Sequence, residues 1–111
     1  MRALAQSRAS AAKLVKLQRA YADLAMMGGD AIAAAREDRA MLQALYRDAY
    51  ALYDAGYAAG GKFEALAGVE FGKLKRALEG IGWLLADPAT RARVGASRWF
   101  LVGPEGLVAH G

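Results

Sequence analysis

Two glycine pairs, Gly28-Gly29 and Gly60-Gly61, cut an alanine-rich chain into stretches whose apolar residues recur at three- and four-residue steps. Apolar residues at that spacing line one face of an α-helix. Glycine reaches the left-handed conformation with which helices end. The chain therefore reads as long helices that stop at glycine pairs. Composition supports this: alanine gives up no side-chain entropy in a helix, while the β-branched Val and Ile that favour strands are scarce.

The first helix is expected from about Arg2 to Met26, with Leu14, Leu17, Tyr21 and Leu24 on its apolar face. Asp30 follows the first glycine pair and suits the cap of the next helix, where its carboxylate accepts from a free backbone N–H. That second helix is expected from Ala31 to about Ala59. Its apolar positions include Met41, Leu42, Leu45, Tyr46, Leu52 and Tyr53, and Gly56 weakens its last turn by about 1 kcal/mol relative to alanine. A third helix is expected from Lys62 to Ala86, with Phe63, Leu66, Phe71, Leu74, Leu78, Ile81, Leu84 and Leu85 on a broad apolar face. Gly68 and Gly72, one turn apart, leave room for a second backbone, and Gly80 is a candidate kink. Asp87-Pro88 reads as a cap followed by proline at the first helical position, opening a short helix from Ala89 to Val94 that stops at Gly95.

The period changes near the C-terminus. Trp99 to Val102 and Leu107 to Ala109 are short β-prone runs separated by Gly103-Pro104-Glu105-Gly106, a sequence suited to a hairpin turn. The expected fold is mainly all-α: a three-helix antiparallel bundle or an extended helical hairpin, with a short fourth helix and a C-terminal β-hairpin. At 111 residues the chain is expected to form one domain, residues 1–111, with residues 97–110 as a hairpin appendage.

Several chemistries are disfavoured by residue type. Without cysteine the chain has no disulfide, thiolate metal site or cysteine nucleophile. Its one histidine, His110, is next to the last residue, so neither a nucleophile pair nor a transition-metal cluster is expected, and no cofactor. The GPEG turn has no following helix to hold an anion. The start shows no apolar block of signal-peptide length, and no stretch has the length of a membrane span. A cytoplasmic protein is expected, or one assembled into a virion in the cytoplasm.

Candidate binding features remain. Tyr46, Tyr50, Tyr53 and Tyr57 follow i, i+4, i+7 and i+11, so they share one helix face beside Leu42, Leu45 and Leu52. Tyrosine suits both the rim of a core and a protein interface. Helix 1 carries Arg2, Arg8, Lys13, Lys16 and Arg19 against Asp23 alone, on the side opposite Leu17 and Tyr21. Such a stripe either solvates the helix or tracks a phosphate backbone. Arg91, Arg93 and Arg98 lie near Trp99 and Phe100, a grouping that serves either to dock the hairpin or to hold phosphates while bases stack. Glu70, placed in the apolar arc of the third helix, needs either a buried partner or a bend that turns it outward.

In size and helix content the chain is similar to small helical subunits of RNA-guided effector complexes and to small accessory proteins of phage particles. The expected function is a non-enzymatic assembly or interaction subunit of a larger complex. Its protein contacts would be Tyr46, Tyr50, Tyr53 and Tyr57 with Trp99 and Phe100 of the hairpin, in a homo-oligomer or with another protein. The alternative is a small nucleic-acid-binding subunit that uses Arg8, Lys13, Lys16, Arg19, Arg91, Arg93 and Arg98. The net charge of +4 permits this without requiring it.

Overall fold

The computed structural model describes residues 2–59, 70–96, 100–103 and 106–109, with side-chain environments for residues 5–55 and 70–93. These residues are mostly helical. Helix α1 spans Arg2–Met26, α2 spans Ala31–Glu37, α3 spans Arg39–Ala59, α4 spans Phe71–Leu85 and α5 spans Pro88–Ala96.

The stop of α1 follows from the first glycine pair. Gly28 has φ +85°. Its N–H donates to Ala25 O at 3.1 Å and that of Gly29 to Leu24 O at 2.9 Å, a pairing that satisfies carbonyls the helix end leaves open. Asp30 then caps α2, its Oδ1 accepting from Ala33 N at 3.0 Å. Asp87 does the same for α5, accepting from Thr90 N at 2.7 Å. This bond, first among several, holds the Asp87 carboxyl below the usual carboxylate range.

The structure departs from the expected boundaries in three places, one of them α5, which runs through its expected stop at Gly95 to Ala96. The single helix expected over Ala31 to Ala59 is interrupted at Asp38, whose φ of −102° and ψ of 19° leave the helical region. Its N–H turns to Ala35 O at 3.2 Å, a three-residue step, before Leu42 N resumes the four-residue step to Asp38 O at 2.9 Å. Across the bundle, Tyr21 Oη donates to Asp38 Oδ2 at 3.4 Å, so a long-range contact falls at the break. The helix expected from Lys62 to Ala86 is interrupted at Glu70, whose ψ of 137° is extended, and α4 opens at Phe71. Glu70 is therefore outside the apolar arc. It faces solvent and pairs with Lys73 at 3.9 Å. Residues 60–69, which carry Phe63, Leu66 and Gly68, lie outside the described residues.

Helices α1, α3 and α4 pack pairwise, with α2 across one end. Their shared core contains Ala11, Leu14 and Tyr21 of α1, Ala35 of α2, Leu42, Tyr46, Ala49, Leu52 and Tyr53 of α3, and Leu74, Leu78 and Ile81 of α4. Asp48 joins α1 to α3: its Oδ2 accepts from Ser10 Oγ and from Gln6 Nε2, each at 3.0 Å. With Ser10 against Asp48 and Tyr21 against Asp38, α1 and α3 run antiparallel. Tyr53 meets Phe71 while Tyr46, two turns earlier in α3, feels the charge of Glu79, so α4 runs antiparallel to α3 and parallel to α1.

Gly80 sits inside the continuous α4. A Cβ built there would come within 2.9 Å of Gln18 Cγ, whereas one at Gly72 would meet nothing within 4 Å. The close approach expected near Gly72 occurs two turns later, where glycine lets α1 and α4 come together. Past α5, the backbones of Phe100–Gly103 and Gly106–Ala109 lie antiparallel, Phe100 opposite Ala109. Residues 104–105, which would form the turn, lie outside the described residues, as do 97–99 with Arg98 and Trp99.

Candidate binding surfaces

The tyrosine stripe is a ladder within the chain's own core. Tyr46 stacks on Tyr50 with ring centroids 6.1 Å apart, Tyr50 meets Tyr53 at 6.1 Å, and Tyr53 stacks on Phe71 of α4 at 4.9 Å. Tyr46 is 4 % exposed and Tyr53 1 %, so neither ring is open to a partner in this fold; Tyr50 is half-buried. The side chain of Tyr57 lies outside the described residues. The spacing places the rings beside the aliphatic face, and packing of α4 closes over that side, turning a stripe into an interhelical seam. Burial, followed by the charges of Tyr50 and Glu79, raises the Tyr46 phenol far above its ordinary value. Among the described residues its hydroxyl is buried with no hydrogen-bond partner. Burial, followed by the charge of Asp54, also raises Tyr50.

The basic face of α1 is open. Arg8, Lys13, Lys16 and Arg19 are all exposed, and among the described residues no carboxylate forms an ion pair with any of them. Leu14 and Tyr21 are buried on the opposite side. Arg91 is half-buried and Arg93 exposed on α5, while the neighbourhood in which they would meet Arg98, Trp99 and Phe100 lies outside the described side chains.

Two features had no clear signal in the chain. The first is the tip between α1 and α2, where Met26 is 87 % and Met27 86 % exposed. Large apolar side chains held in water are the informative exception to the burial rule. Sequence periodicity lets Met26 pass as the end of an apolar face, because it does not show where the partner helices stop. The second is an open hollow of about 390 Å³ among α1, α2 and α4. Gln18, Ala22, Ile32, Gly80 and Trp83 are among its walls. Trp83 remains 38 % exposed there. The hollow is mostly apolar, with Gln18, Tyr21 and Asp30 as its polar members.

Among the described residues no group of three or more His, Asp or Glu could hold a metal ion. No described helix is long and apolar enough to cross a membrane. Comparison with protein-family models, curated proteins and solved structures finds no match to this chain.

Proposed function

We propose that this chain is a non-enzymatic assembly subunit that makes its protein contact through the α1–α2 tip. The observation that supports this is the adjacent pair Met26 and Met27, both almost wholly in water. Methionine is flexible and polarisable, so it adapts to a facing surface, and covering two such side chains removes apolar area from water. The occupant is a second copy of the chain: identical tips meeting across a two-fold axis give a self-complementary contact. Tyr50, half-buried, and the C-terminal hairpin extend this reading, the hairpin as a ribbon whose edges can add to a partner. Light scattering over a concentration series tests it. A dimer mass that falls to the monomer mass in Met26→Gln/Met27→Gln, with unchanged helix content, is the expected result. A monomer mass at every concentration removes it.

A second reading, a nucleic-acid-binding subunit, draws on the open basic face of α1. Phosphate binding releases counterions, so affinity falls steeply with salt. Replacing Arg8, Lys13, Lys16 and Arg19 together by Gln lowers that slope, and absence of binding to any DNA or RNA at low salt removes the reading.

A further inference from the structure

The parallel course of α1 and α4 brings together cations that are far apart in the chain. Gln18 and Gly80 are in register. On α1, Gln18 faces α4 and Ser10 faces α3. At about 100° per residue, Arg8 and Arg19 then fall beyond Gln18, on the solvent side of the α1–α4 seam. On α4, Gly80 faces α1 and Phe71 faces Tyr53 of α3. Arg76 then falls on the solvent side of that same seam, and Lys73, two turns from Gly80 and in line with it, lies along the seam itself. All four are exposed. With a rise of about 1.5 Å per residue, the order along the axis is Arg8, Lys73, Arg76, Arg19 and then Trp83, over roughly 20 Å. A row of positive charge thus leads to an open hollow with an exposed indole on its wall.

We propose that this seam binds a short single-stranded nucleic acid, its phosphates along Arg8, Lys73, Arg76 and Arg19 and one base in the hollow against Trp83. The inference rests on the nucleic-acid reading and names its site. The pairing of cations that follow a backbone with an aromatic face that stacks a base is what single strands require. A duplex offers phosphates but keeps its bases stacked inside, so it leaves Trp83 without a ligand. The roughly 20 Å row spans about three nucleotides of an extended strand. Four carboxylates border the path: Glu70, Asp30, and the exposed Asp23 and Glu79, one turn from Arg19 and from Arg76. Glu70 holds Lys73 only loosely, at 3.9 Å in solvent, and yields to a phosphate. Asp30 stands on the α2 wall of the hollow, where it repels phosphate and accepts from a base amino group. This directs the phosphates toward Arg19 and the base toward Trp83.

The test is fluorescence anisotropy of a labelled oligodeoxyadenylate with the intact protein at low salt. Salt-sensitive binding is expected. Arg19→Gln/Arg76→Gln weakens it about tenfold and lowers the salt slope by about 1.4, as loss of two single-strand phosphate contacts requires. Trp83→Ala weakens it about tenfold through lost stacking, and Trp83→Phe, which keeps a ring, weakens it less. Lys13→Gln/Lys16→Gln, farther round α1 from the seam, weakens it less than Arg19→Gln/Arg76→Gln does, and Arg39→Gln/Arg47→Gln, exposed on α3, changes it less than twofold. Circular dichroism checks that each variant is folded. Duplex competing as well as the single strand, or polyglutamate competing with no effect of Trp83→Ala, overturns the proposal. If Lys13→Gln/Lys16→Gln weakens binding as much as Arg19→Gln/Arg76→Gln, the α1 face binds nucleic acid and the seam does not. If no oligonucleotide binds, both fail. If Trp83→Ala changes only the oligomer mass, the hollow is a protein contact and the proposal is overturned.

Discussion

Tyr46 carries the clearest cost at a single residue. Its ring fills the core between α3 and α4, yet its hydroxyl is buried without a partner among the described residues. A buried hydroxyl that loses water and gains no hydrogen bond costs on the order of 1–3 kcal/mol, while the ring contributes its full apolar burial. Tyr46→Phe removes the cost and keeps the ring. It is expected to stabilise the fold by about 1 kcal/mol, read as a higher urea midpoint at unchanged slope. A lower midpoint shows that the hydroxyl is paired. Asp48 is the opposite case, a carboxylate whose one oxygen takes two donors from α1. The tyrosine spacing predicts the shared face, but which rings are covered depends on α4, which begins at Phe71, beyond the end of α3.

At the scale of elements, the helix ends are local devices. Gly28, Asp30 and Asp87 each act on backbone groups within five residues, so their roles are legible from residue type and order. The break at Asp38 is different. Nothing in the Ala31 to Ala59 stretch marks it as glycine or proline would, and it coincides with a contact from Tyr21 in another helix. The meeting of α1 and α4 at Gly80 is decided in the same way. Alanine at position 80 gains about 1 kcal/mol of helix propensity but brings its Cβ against the Gln18 side chain. Gly80→Ala alone is therefore expected to be neutral or destabilising. In a Gln18→Ala background the same change is expected to stabilise by about 1 kcal/mol. A double-mutant cycle by urea unfolding measures the coupling, and additivity would show that the two helices do not touch there.

At the scale of the molecule, the tyrosines tie the bundle to pH. Tyr21, Tyr46 and Tyr50 are all raised, in each case first by burial. Tyr21 is raised further by the Asp38 charge and by its hydrogen bond to Asp38. For a phenol raised in the folded state, the unfolded chain loses its proton first. Stability is therefore full below the unfolded value of about 10 and falls as pH rises past it. Urea unfolding across this range is expected to show that fall, and Tyr46→Phe is expected to make it shallower. A stability independent of pH up to 11 would mean that these rings are not buried.

By itself, the chain determined its helical class, the apolar faces of α1, α3 and α4, and the caps at Asp30 and Asp87, because these depend on residue type and on neighbours within a few positions. Only the tertiary structure decided that Tyr46 and Tyr53 are core and that Asp38 interrupts a helix. It also decided that Glu70 faces solvent, that Met26 and Met27 stay in water, and that Arg19 and Arg76 border one seam. The physical reason is common to all of them: each depends on where a distant helix packs or ends, and helical periodicity gives the direction of a side chain without the distance to what lies there.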